Sequence, residues 1–186
     1  MNFDENKILE GCIKGDKKSQ KSLYEFYSSV LFGLALRYCT SRADAEDVLQ
    51  ESFIKIFQNL NKFQATGPLG AWVRRIVVNT AINHFNKQKT EFLSHNNESY
   101  LEVPSNDESV FSSFSTQDLL KSIQELPDGF RMVLNLYTIE GYTHKEISEM
   151  LKISEGTSKS QLSRARSLLT EKMAKKHKIL SYEGSR

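Results

Sequence analysis

The sequence predicts an all-α protein: two small helical domains joined by a flexible acidic linker, the C-terminal one carrying a helix-turn-helix. Three observations lead there. Apolar residues recur at spacings of three and four on both sides of the chain's middle, the period of helices with one buried face. Between those regions, residues 91–115 hold few core-forming side chains and are rich in Asn, Ser and Glu, with Pro104 among them. Such a composition buries too little apolar surface to fold by itself. Beyond it, two short amphipathic segments follow each other across a tight turn, the helix-turn-helix pattern. The expected division is therefore 1–90, a linker over 91–115, and 116–186.

Composition narrows the class further. The 186 residues suffice for one or two domains with a real core. A hydrophobic content of 39% with only 9 Gly and 3 Pro favours a soluble helical protein. The longest apolar run, Val30 to Leu36, is far shorter than the roughly 20 residues of a membrane span. Asp4, Glu5 and Glu10 near the N-terminus leave no apolar signal core, so export is not expected. Cys12 and Cys39 form neither a disulfide framework nor a metal-binding spacing, and read as idle thiols in a reducing cytoplasm. The four His residues are scattered; no metal site or cofactor is expected. The net charge of +2 conceals a segregation. Residues 66–90 hold four Lys/Arg and no acid, 91–120 hold six acids and no Lys/Arg, and 151–186 hold nine Lys/Arg against three acids. Two basic segments flanking an acidic one suit two contacts with a polyanion and a middle that stays off it.

The elements follow in order. Residues 5–14 predict a short helix broken at Gly15-Asp16. A long amphipathic helix is expected from Lys17 to Cys39, with Leu23, Phe26, Tyr27, Val30, Leu31 and Leu34 on its core face. After the turn Thr40-Ser41-Arg42, a regular helix from Ala43 to Leu60 buries Ala45, Val48, Leu49, Ser52, Phe53, Ile56 and Phe57. Its second stripe reads Asp47, Gln50, Glu51, Ile54 and Gln58. Acids on a helix surface can simply be solvated; the sharper reading is a protein-docking face with Ile54 as apolar anchor and the acids meeting a basic partner.

Asn61 to Gly70 reads as a loop, after which Pro68 opens a helix to Lys87. Leu69, Val73, Ile76, Val77 and Thr80 bury one side, while Arg75, Asn79, Asn83, Asn86 and Lys87 line another, with Trp72 and Arg74 near its start. Cationic and amide side chains interleaved with Trp72 and the loop aromatic Phe63 fit a single-strand platform, where bases stack and phosphates are neutralised. Trp72 fits the core equally well. Thr116 or Ser115 caps the next helix, which ends near Leu126; Pro127 starts another with Met132, Val133, Leu136 and Tyr137 on its core face, closed by Gly141.

In the final pair, Thr143 and Glu146 have the spacing of a capping box. Ile147, Met150 and Leu151 give the first helix its buried face. The turn Leu151-Lys152-Ile153 contains no Gly, and Ser154 offers the second helix an N-cap. That helix buries Leu162, Ala165 and Leu169 and presents Thr157, Ser160, Gln161 and Arg164 on one face, flanked by Lys159, Ser163 and Arg166. Arg and Gln suit base edges in a major groove; Ser, Thr and Lys suit phosphates. The bland alternative is a solvated basic face on a helical hairpin. The basic stretch Lys172–Lys178 extends the tail.

With these pieces placed, the chain resembles the extracytoplasmic-function (ECF) subfamily of bacterial RNA polymerase sigma factors, within the sigma-70 family. Three blocks carry the resemblance, in the family's order. Asp44-Ala45-Glu46-Asp47-Val48-Leu49-Gln50-Glu51-Ser52-Phe53 is similar to the polymerase-docking helix. Ala71-Trp72-Val73-Arg74-Arg75-Ile76-Val77-Val78-Asn79 is similar to the minus-ten segment. Glu155-Gly156-Thr157-Ser158-Lys159-Ser160-Gln161-Leu162-Ser163-Arg164-Ala165-Arg166 is similar to the minus-thirty-five recognition helix. The resemblance implies that Asp44, Asp47, Gln50, Glu51 and Ile54 face core polymerase. It implies that the loop Asn61–Leu69, which contains Phe63, captures a base flipped from the non-template strand. Trp72, Arg74, Arg75, Asn79, Asn83 and Lys87 then hold the minus-ten element, and Thr157, Lys159, Ser160, Gln161, Arg164 and Arg166 engage the minus-thirty-five duplex. The resemblance also implies that the acidic linker can occupy the positively charged path that nascent RNA later takes. The sequence departs from the family pattern at Ser158, where Val is usual, at Gln161 and Ser163, where Arg and His are frequent, and at Lys152, where Gly is common. Asn83 and Asn86-Lys87 also replace a more acidic, Arg-rich ending.

The expected function is that of a specificity subunit without chemistry of its own: it binds core RNA polymerase, recognises two promoter elements and helps open the duplex. Its partners are core polymerase, promoter DNA and an anti-sigma factor, with no small-molecule substrate. Its place is the cytoplasm, or the inner membrane when an anti-sigma factor holds it there. A free-standing helix-turn-helix regulator is the alternative; it leaves the acidic stripe and the amide-rich helix unexplained. A metal-dependent enzyme using Asp47 and Glu51 lacks a second acidic cluster to complete the site, a nucleophile-base pair and a phosphate-cradling Gly loop.

Overall fold

The computed structural model describes residues 5–95 and 116–183, and every regular element among them is helical. The helices are α1 (Glu5–Ile13), α2 (Lys17–Tyr38), α3 (Arg42–Asn59), α4 (Leu69–His95), α5 (Thr116–Gln124), α6 (Asp128–Leu134), α7 (His144–Leu151) and α8 (Glu155–Glu183). A single 3₁₀ turn, Leu60–Lys62, follows α3, and a π-helical segment, Asn135–Ile139, continues α6. The chain divides into two compact units, and the division falls inside α4, between His84 and Phe85.

In the first unit α2 and α3 each start where a side chain satisfies an amide that has no intrahelical partner. Asp16 accepts from the Ser19 amide at 2.8 Å, and the Ser41 hydroxyl accepts from the Asp44 amide at 3.0 Å. The Ser19 side chain and amide also hold the exposed Asp16 carboxyl below its usual range. Pro68 directly precedes α4, its carbonyl accepting from the Ala71 amide at 3.1 Å. The core forms where α2, α3 and α4 present one stripe each: Leu23, Leu31 and Leu34; Val48, Phe53 and Ile56; Leu69, Val73 and Val77. Each such side chain contributes about 1.5–3 kcal/mol on burial. Ser52 lies in the middle of the α3 stripe, fully buried, and its hydroxyl donates to the Val48 carbonyl at 2.6 Å, so no polar group is stranded there.

Two apolar residues of α2 depart from the expected core. Phe26 is 52% exposed and Val30 71%. The buried arc is centred on Leu23, Leu31, Leu34 and Tyr38, and at 100° per residue Phe26 and Val30 fall off its edge. Helix α4 runs on to His95, past the predicted end at Lys87, so the first five residues of the predicted linker are helical. The remainder of that linker, and Ser115 as a cap, lie outside the described residues. Both cysteines are buried thiols, and burial, with Asp16 nearby, pushes the Cys12 thiol up.

The second unit is held by a buried cation that periodicity does not flag. Arg131 is 3% exposed; its guanidinium donates to the carbonyls of Gln124 at 3.1 Å and Leu126 at 2.8 Å and pairs with Asp128. It thereby caps the C-terminal end of α5 from within α6. Tyr137, expected in the core beside Leu136, is 37% exposed. The π-segment adds a residue to the turn and rotates Tyr137 out of the α-helical stripe. Around α7 and α8 the core takes Ile147, Leu151, Leu162, Ala165, Leu169 and Met173. The stretch Lys172–Lys178 lies on α8 itself.

Replacing Arg131 with Met keeps the volume but removes every donor to the α5 carbonyls. Urea unfolding of the second unit is expected to show a loss of about 2–3 kcal/mol, and an unchanged midpoint would mean that the guanidinium is not a structural cap.

Candidate nucleic-acid and protein interfaces

On α3, burying one stripe turns the other outward. Asp47, Gln50, Glu51, Ile54 and Gln58 are all exposed, and Ile54 keeps 50% of its surface in solvent. Glu51 is paired with Lys55 at 2.7 Å, and the Lys55 ammonium also reaches the Thr80 hydroxyl on α4 at 3.3 Å. Asp44 is placed differently from the rest of the predicted set. It is half-buried, accepts from the Ser41 hydroxyl at 2.6 Å, and lies 3.6 Å from His84 Nε2. It therefore orients the start of α3 against α4.

Beside the stripe opens a groove of about 430 Å³, lined by Tyr24, Glu46, Leu49, Gln50, Phe53, Ile54 and Phe57. Its floor is aromatic: Tyr24 and Phe53 lie 4.6 Å apart between ring centroids, Phe53 and Phe57 6.0 Å. Sequence reasoning missed this groove because Tyr24 comes from α2, and the periodicity of one helix cannot reveal what a neighbour adds. An aromatic floor with Glu46, Asp47 and Glu51 around it suits an apolar side chain carried on a basic segment.

Along α4, Arg75, Asn79, Asn83 and Lys87 are exposed at successive spacings of four, while Arg74 is half-buried. Trp72 is half-buried and tilted against Phe63, with centroids 5.5 Å apart and planes at 51°. It is neither wholly core nor a free platform: Phe63 braces it, and the pair keeps partial access to solvent. The adjoining loop holds Ala65 at φ +52°, an uncommon conformation for a residue with a Cβ. Among the described residues no group of three or more His, Cys, Asp or Glu side chains is placed to hold a metal ion.

The helix-turn-helix begins at a complete capping box, Thr143 accepting from the Glu146 amide and Glu146 accepting from the Thr143 amide at 2.8 Å. The Thr143 amide, and after it the Thr143 hydroxyl, which donates to the same carboxylate at 2.7 Å, hold the Glu146 carboxyl below its usual range. Lys152 occupies the left-handed position at the end of α7, φ +53°, and so takes up the conformation for which Gly is favoured. Ser154 then caps α8, accepting from the Thr157 amide at 2.9 Å.

The predicted reading set divides on α8. Lys159 and Ser160 are exposed, and Thr157 and Arg164 half-exposed on the same side as Ser160. Gln161 is half-buried and packs on α6, where a Cβ on Gly129 would come within 2.9 Å of its Nε2. Arg166 is exposed on the opposite side of the helix, its guanidinium carbon 5.8 Å from the centre of the Tyr137 ring. Thr157, Ser160 and Arg164 therefore form one arc available to a groove, and Lys159, seven residues before Arg166, lies on the other flank of the exposed face.

Comparisons with known proteins agree with this architecture. Residues 23–91 match the sigma-70 region 2 family and residues 116–169 the sigma-70 region 4 family. An ECF RNA polymerase sigma-E factor of Haemophilus influenzae is 30% identical over 179 residues, covering 89% of this chain and 93% of that protein. An RNA polymerase sigma-H factor of Pseudomonas aeruginosa is 26% identical over 174 residues, covering 87% and 90%. Among solved structures, the sigma factor RpoE of Bartonella quintana, crystallised with the anti-sigma factor NepR, shares the fold with a TM-score of 0.50 at 23% identity. That likeness covers 83% of this chain and 96% of RpoE.

The division of α8 is testable by substitution. Arg164→Ala is expected to change discrimination at one duplex position by about 1–3 kcal/mol, whereas Gln161→Ala leaves base preference unaltered. Selection of duplexes from a randomised pool reads both.

Proposed function

This chain belongs to the ECF sigma factors of the sigma-70 family, and from that premise we propose how its two units divide the work of transcription initiation. The chain binds core RNA polymerase through the exposed stripe of α3 and directs it to promoters carrying two elements. Asp47, Gln50 and Glu51 meet basic side chains of the polymerase, and Ile54 enters an apolar contact beside the aromatic groove. Asp44 supports that face from behind, since its carboxylate is already engaged by Ser41 and stands close to His84.

The open strand of the minus-ten element lies along α4. Arg75 and Lys87 neutralise phosphates, Asn79 and Asn83 bond to base edges or sugar, and the Phe63–Trp72 pair offers the ring surface on which a displaced base stacks. The second unit sets α8 in the major groove of the minus-thirty-five duplex with Thr157, Ser160 and Arg164 toward the bases and Lys159 on a phosphate. Such an assembly needs no reaction of its own; the chemistry belongs to the polymerase. Among the described residues no helix is long and apolar enough to cross a membrane, and work on nucleoid DNA assigns the chain to the cytoplasm. An anti-sigma protein that covers the α3 face would switch it off.

The observation that carries this reading is the joint exposure of Asp47, Gln50, Glu51 and Ile54 on a unit other than the one holding the helix-turn-helix. A free-standing duplex-binding regulator has no use for such a face. Reversing two charges, Asp47→Lys with Glu51→Lys, is expected to weaken binding to sigma-free core polymerase by roughly tenfold or more. Helicity and unfolding midpoint should stay at parental values. Undiminished polymerase binding by a folded double variant would exclude the docking face.

A further inference from the structure

Four side chains of the second unit form a closed circuit of contacts that the function described above does not use. Ser158 sits in the first turn of α8, fully buried, with its hydroxyl 2.9 Å from Nδ1 of His144, the first residue of α7. The His144 ring in turn stacks on Tyr137, centroids 4.5 Å apart and planes within 21°. Tyr137 lies in the π-segment, and on its ring rests the guanidinium of Arg166, back on α8 at 5.8 Å. The circuit leaves α8 at Ser158, passes through α7 and the π-segment, and returns to α8 two turns later.

Each link is directional where ordinary core packing is not. An apolar side chain at 158 would fill the same space at many small rotations of the helix, whereas a hydrogen bond weakens steeply once its angle is lost. A buried hydroxyl left without its partner is also costly, so the register that makes the bond is selected against its neighbours. The stack and the cation over the ring fix the far end in the same way. The π-segment is what turns Tyr137 toward His144 rather than into the core. Ser160 and Arg164 lie between the two anchor points and Thr157 directly precedes the first; together they are the arc read above as facing the duplex.

We propose that His144 is a positioning residue for promoter recognition: through Ser158 at one end and Tyr137–Arg166 at the other it sets the rotation and axial position of α8, and with them which bases the arc reaches. Arg166 acts in this role through the Tyr137 ring and not on a base. The inference rests on the reading of α8 as the minus-thirty-five helix.

The test uses the full chain with sigma-free core polymerase on a promoter library randomised at both upstream elements. His144→Phe keeps the stack and loses the ring nitrogen; His144→Asn keeps a polar atom near the place of Nδ1 and loses the stack; Ser158→Val fills the site without a hydroxyl. Loss of the bond, by His144→Phe or Ser158→Val, is expected to change the relative use of single-base variants of the minus-thirty-five element by roughly three- to tenfold. The double variant should add nothing to either single change, His144→Asn should recover part of the parental preference, and minus-ten preference should not move. A uniform drop over all minus-thirty-five sequences, or a lowered melting temperature with preferences intact, would reduce His144 and Ser158 to core packing and overturn the proposal. Absence of promoter-directed starts with the parent chain itself would instead defeat the reading of α8 on which the proposal stands.

Discussion

The N-terminal unit depends on one constraint: α3 must bury Ala45, Val48, Leu49, Ser52, Phe53 and Ile56 together. A helix has only so much circumference, and a three-four stripe placed under its neighbours leaves a three-four stripe outside. Burial of the first stripe is what gathers Asp47, Gln50, Glu51 and Ile54 into one exposed face. The core stripe and the exposed face of α3 are therefore not independent features but two consequences of one periodicity. Ser52 shows how tightly the buried side is determined, since a hydroxyl is tolerated there only by donating to the carbonyl one turn back.

The C-terminal unit solves a different problem with polar groups. Its helices α5, α6 and α7 are short, so their unsatisfied ends are a large share of the backbone. Thr143 with Glu146, Ser154 and Arg131 each supply partners to such ends. The tight turn is made by Lys152 in a left-handed conformation, a cost of roughly 1–2 kcal/mol that the surrounding helices offset. Ser158 brings a further polar group under the recognition helix, where a branched apolar residue would have packed without choosing an angle. The angle of α8 is thus set by directional bonds as well as by packing.

Much of this was legible before any coordinates. The α3 stripe and the capping box were readable because each is written in residues close together along the chain. Exposed Phe26 and Val30 were not, because the period of α2 locates a stripe but not the edge at which its neighbours stop covering it. Tyr137 was misplaced because an inserted π turn leaves no mark on a 3.6-residue pattern. The groove at Tyr24 and the packing of Gln161 on Gly129 need a second helix to exist. Arg131 escaped notice because a buried cation is uncommon enough that charge reads as exposure. Asp44 was grouped with the exposed stripe, yet it is engaged by Ser41 and lies near His84, a distinction that only the packing of α4 can make.

The most direct measurement is transcription by sigma-free core polymerase from a library of upstream DNA, with and without the purified chain. The account predicts discrete start sites that appear only with the chain and share two upstream elements, one melted and one duplex. Tight binding of the chain to duplex DNA alone, with no new starts from an active core enzyme, would contradict it.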